Sequence, residues 1–565
     1  MLTLPQSLRA SYEQTPDRLA LRLLFAKQPD IEISYRDLIE KSAGFAQRYA
    51  EAGVRPGEIV IIILQHGEAL IYAFWGAVLY GAVPSLLPWL TEKLSPEKYR
   101  EDLSALVGLT KPTAIVTYAE FEGDVREALS EGREALSEGR RDQVNRPSPF
   151  ALRPALLIAS DTSALVPDWQ TLGGMQRTLD DLVLLQHSSG STGLQKGVAL
   201  SNGAVQRQLD AYATAIALTE NDVIVSWLPL YHDMGLIASL LMPVLRRVPV
   251  LLLSPFDWVR APVKLLHVIS AHKGTLTWLP NFAFNFMAQK IRDRDLVDVH
   301  LDSMRMFVNC SEPTFVASHR AFAQRFAAYG VRPDMLSTCY AMAENVFAVT
   351  HGPAGSGQEA KGSGALLSAG RPLANVRLRI IDSERHEVAV GVTGEIILQS
   401  DCMLSEYYHR PDVTALALQG GWYFTGDLGY LDGQTGELFV TGRKKDLIIV
   451  GGKNVYPQDL ERLADVVPGV HAGRTVAFGV LDEAAGTEDV ILLVESDVTD
   501  EEAQQALALA VRQHITKNSD VAVRVVEIVT PGSLLKTSSG KIARSANRKR
   551  YLAGRDSEED EGMTG

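Results

Sequence analysis

Residues 187–198 read HSSGSTGLQKGV and follow directly on the apolar run DLVLLQ, 181–186. Three glycines, three serines and one threonine surround a single lysine, Lys196. Such a composition neither fills a core nor propagates a helix. After a buried strand it suits phosphate: glycines let the backbone approach an anion, N–H and hydroxyl groups donate to it, and Lys196 adds a point charge. It is not a Walker loop, because Gly197 stands where GxxxxGK[ST] requires Ser or Thr. Nor is it the dinucleotide GxGxxG. On composition alone a solvent loop and a phosphate site stay equally open.

Outward from this loop the chain alternates strand and helix. Residues 34–52, SYRDLIEKSAGFAQRYAEA, have a helical period with Ser34 as the cap. GEIVIIILQH (57–66) is an apolar run of buried-strand type, EALIYAFWGAVLYGAV (68–83) reads as helix, and TAIVTYAEF (113–121) as strand. That alternation predicts a parallel sheet covered on both faces. A further βα run goes from Leu182 to about Leu253. VRLRIID, GEIILQS and GELFVTG, within 376–442, predict hairpin strands. Near Arg443–Lys445 the pattern changes to a smaller α+β unit with a helical EEAQQALALAVRQHI, 501–515. The acidic end DSEEDEGMTG is expected to be disordered. REALSEG occurs twice back to back, at 126–132 and 133–139, and is read as a duplication in a charged surface segment rather than a functional arm.

At 565 residues the chain exceeds one hydrophobic core, so two or more domains are expected. A formal net charge of −13 argues against nucleic acid as the main partner. Cys310, Cys339 and Cys402 form no CxxC pair, which excludes a disulfide framework or zinc site and fits a reducing, cytoplasmic location. The richest apolar stretch, LLMPVLRRVPVLLLSP (240–255), is broken by two arginines and three prolines, so no membrane insertion is expected.

SSGSTGLQKGV resembles the phosphate-binding signature of the adenylate-forming enzymes, and six further blocks of that family follow in order. They are WLPLYHDMGL (227–236), NCSEP (309–313), YAMAEN (340–345), YFTGDLGYL (423–431), GRKKDLIIVGGKNVYPQDLE (442–461) and KTSSGKIAR (536–544). The resemblance implies an α/β fold: a large N-terminal part (1–442) of two α/β subdomains plus a small β-barrel, then a small mobile α+β C-terminal domain (443–553) and an acidic tail (554–565). It also implies ATP and Mg2+ as cofactors. Ser189, Ser191, Thr192 and Lys196 would hold the phosphates, with Thr192 and Glu344 near the metal. Ser311, Glu312, Tyr340 and Ala341 would line the adenine side, and Ala341 replaces the usual glycine. Asp427 would accept from the ribose hydroxyls with Arg443 nearby. Lys445 would be the hinge and Lys541 the catalytic lysine. A turn residue, a surface carboxylate and a solvated basic face are the plain alternatives for Asp427, Glu344 and Lys541.

Adenylation drives a carboxylate against the α-phosphate of ATP, anion against anion. Cations are needed, and a general base is not. In TWLPNFAFNFMAQ (277–289) Phe282, Phe284 and Phe286 alternate, with Met287 beside them; core strand packing and an acyl wall are both open. His232 is either a core histidine or the gate of the acyl pocket. With no acid between Thr275 and Gln289, a fatty acid is favoured over an amino acid. The resemblance is strongest to fatty acyl-AMP ligases, which implies an acyl carrier protein as acceptor. The glycine pair of VGGKNVYP is common in CoA-using relatives, so an acyl-CoA synthetase stays open, as does an inactive scaffold. The segment Lys536–Arg550 carries Lys536, Lys541, Arg544, Arg548, Lys549 and Arg550 without an acid. Those charges suit either an acidic carrier or the ATP phosphates.

Overall fold

Helix Tyr35–Glu51 begins where Ser34 predicts: its hydroxyl accepts from Asp37 N, and the Asp37 side chain returns to Ser34 N. This helix packs on helix Glu68–Tyr80, and the two close at Gly76. A Cβ there would lie 2.6 Å from Phe45 Cβ and 2.7 Å from Ser42 O. Gly81, at φ 90°, then ends the second helix in the left-handed conformation that glycine takes without penalty.

In the computed structural model the described residues are 1–89, 96–138, 154–159, 163–188, 196–310, 314–352, 366–450, 453–482, 487–519, 521–537 and 541–562. They build a mixed α/β architecture. One nine-stranded sheet runs, in spatial order, from Arg371–Pro372 through Ala348–Gly352, Leu336–Ala341, Met306–Cys310, Leu276–Leu279, Ile224–Ser226, Val250–Leu253 and Leu19–Leu24 to Ile31–Ser34. Its six central strands are parallel, and its edges are antiparallel. A second, all-parallel sheet joins Val83–Leu86, Ile59–Ile62, Ala114–Thr117 and Ala155–Ile158. Both agree with the strand–helix alternation of the sequence.

The hairpin strands expected between 376 and 442 form an antiparallel half-barrel: Val376–Ile381, Gly394–Ser400, Trp422–Leu431, Leu418–Gln419 and Leu438–Arg443. Beyond it, Thr475–Asp482, Thr487–Glu495 and Val523–Val529 make a separate sheet. Helix Glu501–Asn518 packs there around Leu507, Val511 and Ile515. The segment Leu182–Leu253 departs from a simple βα run. Its first two strands, Leu182–Ser188 and Lys196–Ser201, form an antiparallel hairpin that Glu406–Tyr407 extends.

Two expectations are corrected. The segment 277–289 is mostly helix: the strand ends at Leu279, Pro280 caps the turn, and Asn281–Lys290 is helical. The acidic end is not irregular up to Gly562, because helix Arg544–Gly562 carries through it. The first REALSEG copy and most of the second lie on one helix, Glu122–Glu138.

Gly76→Ala is expected to destabilise the N-terminal part by about 1–3 kcal/mol, because a methyl must enter a closed helix contact. A circular-dichroism melt checks this. An unchanged melting temperature would mean that the two helices do not close on Gly76.

Candidate active site

Asp427 lies on strand Trp422–Leu431 of the half-barrel and is only 8% exposed. Its Oδ2 accepts from the Tyr340 hydroxyl at 2.6 Å, and Arg443 Nε lies 3.0 Å from its Oδ1. Arg443 is its cross-strand partner, so the sheet register itself sets that pair. Tyr340 comes from the long sheet, strand Leu336–Ala341. Burial, with the Asp427 charge added, raises the Tyr340 phenol well above its ordinary value, so it stays a donor. Ala341 follows in the same strand.

Glu344 sits in the short turn Ala343–Asn345. The Tyr407 hydroxyl donates to its Oε1 at 2.7 Å and lies 2.9 Å from the Tyr423 hydroxyl. Burial, then the Glu344 charge, raises the Tyr407 phenol. Tyr407 is aligned by pairing with Val198 on the strand Lys196–Ser201. Lys196 heads that strand, with Nζ 5.0 Å from the centroid of the Tyr407 ring. Ser188 pairs with Lys196, so the two ends of the 189–195 stretch meet there. Ser189, Ser191 and Thr192 lie outside the described residues, as do Ser311 and Glu312.

Lys541 belongs to the C-terminal unit, where Thr537 N donates to its carbonyl at 2.7 Å. It nevertheless acts on residues of the N-terminal part. The His232 imidazole is pushed down to about 3, by burial first and by the Lys541 charge second. Burial raises the Asp233 carboxyl, and the Met234 N–H and Lys541 oppose that rise. Asp233 also feels Glu344, so Lys541 and Glu344 converge on one carboxyl. His232 Nε2 is buried without a partner among the described residues. Asp233 precedes a wide π-helical stretch, Met234–Leu241, a form often found at functional sites. Gly235 permits it: a Cβ there would lie 2.3 Å from Pro229 O.

The aromatic residues of helix Asn281–Lys290 separate by helical spacing. Phe282 and Phe286 face a stacked tryptophan pair, Trp227 and Trp258, whose centroids are 3.6 Å apart. Phe284 turns instead to Phe322 and His319 of helix Val316–Phe326, at 5.0 and 5.1 Å. Phe284, and Met287 three residues on, are fully buried, and Phe284 packs away from the tryptophan pair. Trp227, Trp258, Asp233, Tyr407 and Tyr423 were missed as site residues. Trp227, Asp233 and Tyr423 lie inside quoted blocks; Trp258 and Tyr407 carry no local signal at all.

The turn Lys444–Asp446 is also tied by charge on both sides. Lys444 Nζ is 2.9 Å from Glu395 Oε2 on the half-barrel. Two residues on, Asp446 accepts from Arg544 Nη1 at 3.0 Å. Arg544 also donates to Glu461 and to Ala477 O, so it is spent inside the C-terminal unit and is no part of an exposed basic face.

Residues 8–408 match the family described as AMP-binding enzyme. The chain belongs to that family. This AMP-binding enzyme is 29% identical to the long-chain-fatty-acid–AMP ligase FadD26 of Mycobacterium tuberculosis, over 97% of each chain. It is 30% identical to a 4-hydroxyphenylalkanoate adenylyltransferase of Mycobacterium bovis, over 89% of this chain and 83% of that one. Among solved structures it resembles a fatty acyl-adenylate ligase from a study of the E. coli and L. pneumophila enzymes: 26% identity, 99% of both chains, TM-score 0.84. It shares its fold with the McyG adenylation–carrier structure bound to phenylalanyl-adenylate, at 23% identity over 99% and 84% of the chains and TM-score 0.82.

Asp427→Ala is expected to weaken ATP binding about tenfold or more, the scale of a charge-assisted hydrogen bond, without changing acid preference. Isothermal titration with ATP measures it. Unchanged affinity would remove Asp427 from the nucleotide site.

Proposed function

We propose that this enzyme activates a medium- or long-chain fatty acid with ATP and Mg2+ to an acyl-adenylate, and passes the acyl group to the phosphopantetheine thiol of an acyl carrier protein. The observation that carries this reading is the placement of Tyr407, whose hydroxyl donates to Glu344 and whose ring lies 5.0 Å from Lys196 Nζ, so that one carboxylate and the lysine of the glycine-rich stretch are brought together. A carboxylate oxygen bonds to the α-phosphorus while the bond to the β-phosphate breaks and pyrophosphate leaves. Charge grows on the phosphates, and Lys196 and Lys541 are the cations that meet it. The thiol, losing its proton, then attacks the acyl carbon and AMP departs.

The donor set fits Mg2+. No group of three or more His, Cys, Asp or Glu side chains is gathered among the described residues, and Glu344 Oε2 accepts from none of them. One hard carboxylate oxygen is what an ion bound largely through water and phosphate oxygens requires from a protein. When bound it supplies charge neutralisation at the phosphates. Glu344 would hold it, and Tyr407 orients Glu344.

The acid class is supported by the apolar wall of Trp227, Trp258, Phe282 and Phe286 and by the fatty-acid ligases among the relatives. His232 would border that wall. The same reading divides the chain at 443 into an N-terminal domain of 442 residues and a mobile C-terminal domain ending near 553, with Lys445 as the hinge. For the carrier, the basic face is reduced to Lys536, Arg548, Lys549 and Arg550, all exposed. We place the reaction in the cytoplasm; no helix of the described residues is long and apolar enough to cross a membrane.

Lys541→Ala is expected to lower fatty-acid-dependent ATP–pyrophosphate exchange by about 10²–10³, the cost of one preorganised charge. Transfer from supplied acyl-AMP to holo carrier protein should persist. Full exchange in the variant would overturn the role of Lys541. Equal acylation of free CoA and of the carrier, indifferent to salt, would make the enzyme an acyl-CoA synthetase.

A further inference from the structure

The residue two positions after Glu344 has an unusual backbone. Val346 lies at φ 62° and ψ −51°, and Phe347 N donates across it to Asn345 O at 2.7 Å. This is the γ-turn of positive φ, a rare and strained conformation. Of the described non-glycine residues with positive φ, Val346 is the one with a branched β-carbon, the side-chain type that tolerates it least. It is also fully buried. A relaxed turn at this point would redirect the chain on either side of it, and Glu344 with it.

Strain of this kind persists where surrounding structure over-determines it. The surroundings here are specific. Asn345, fully buried, donates from Nδ2 to Ala348 O at 2.8 Å, and its Oδ1 accepts from Ser400 Oγ on the half-barrel. Gln208, from helix Asn202–Ala215, packs its amide against the same turn. Met342 N donates to Phe347 O at 2.9 Å and closes the loop. Leu404 N donates to the Glu344 carbonyl at 2.7 Å, three residues before Tyr407 holds the Glu344 carboxylate. Main chain and side chain of Glu344 are thus fixed by one segment, 404–407, from one side and by the strained turn from the other.

We infer that Val346, locked in its γ-turn by Asn345 and Ser400, is a positioning residue that aims Glu344 at the metal–nucleotide complex. The inference rests on the reading of Glu344 as the metal-holding carboxylate. The strained backbone is the active element, and the valine side chain serves to fill the core behind it.

The test uses the full chain and Mn2+ as probe. Binding is measured by electron paramagnetic resonance with α,β-methylene-ATP, so no turnover is needed. Glu344→Gln is the arm that tests the underlying reading. Val346→Pro, whose ring holds φ near about −65°, cannot form the turn and should weaken Mn2+ binding about tenfold, the scale seen when a ligand's outer support is removed. Val346→Ala keeps the positive-φ backbone and removes only side-chain volume. It should lower the melting temperature and leave Mn2+ affinity within about twofold of the wild type. Ser400→Ala loosens the Asn345 clamp and should shift affinity in the same direction as Val346→Pro; it carries the test should the proline variant fail to fold. In pyrophosphate exchange, Ser400→Ala should raise the Mg2+ concentration that gives half the maximal rate. If Glu344→Gln loses Mn2+ while Val346→Pro and Ser400→Ala bind as Val346→Ala does, the positioning role is wrong. If Glu344→Gln also keeps full Mn2+ affinity, the metal reading fails and takes the inference with it.

Discussion

Three parts of the chain meet on one carboxylate. Asp427 sits on the half-barrel, its Tyr340 partner belongs to the long parallel sheet, and its Arg443 partner stands at the boundary with the C-terminal unit. A nearly buried carboxylate is costly without partners, and removing one strands a charge. Asp427 therefore fixes how these parts are set against one another as well as what it can bind. Its two oxygens offer about four lone-pair sites. Tyr340 and Arg443 each take one, which leaves room for a pair of donor hydroxyls of the kind a ribose presents. The structural role and the proposed binding role thus use different lone pairs of the same group.

The site's histidines cannot supply its positive charge. Burial holds His187 and His351 down at about 4, and burial with Lys541 holds His232 at about 3. Near neutral pH all three are uncharged. Lys196, Lys541 and Arg443 are the basic side chains that the proposed chemistry draws on. This division suits the proposed chemistry, in which a carboxylate is already ionised and needs no base, while phosphate charge needs cations that stay charged across physiological pH. His187 illustrates the alternative use of such a residue: its Nε2 lies 2.7 Å from Ser85 Oγ, tying the root of the glycine-rich stretch to the all-parallel sheet.

What could be read from the sequence was whatever depends on near neighbours. The Ser34 cap, the strand runs at 59–62 and 114–117 and the hairpins of the half-barrel all have local causes, and all were legible. The spacing of Phe282, Phe284 and Phe286 misled because period two fits a strand, whereas Pro280 had already ended the strand and opened a helix. Helical spacing then sends Phe284 to the core. Tyr407 was illegible for another reason. Its position depends on pairing with Val198, more than two hundred residues earlier, and nothing in SEYYHR announces that contact. The γ-turn at Val346 was equally hidden, since valine is the wrong residue for it and only the buried Asn345 network explains its survival. Motif resemblance located Glu344; it carried no information on what aims it.

The charged residues on the two sides of Lys445 are tied to different parts of the chain. Arg443 and Lys444, which tie the turn to the half-barrel, keep half or more of their side chains exposed, at 51% and 57%. Their partners Asp427 and Glu395 are each 11% exposed, so parting either pair would strand a largely buried carboxylate. On the other side, Asp446 and Arg544 are 15% and 16% exposed, and Arg544 is further held by Glu461 and the Ala477 carbonyl. Separating that pair would strand two largely buried charges. In the rotation proposed for the C-terminal unit, Arg443 and Lys444 would therefore stay with the half-barrel and Asp446 would travel with Arg544, which leaves Lys445, the proposed hinge, to absorb the change in backbone torsion.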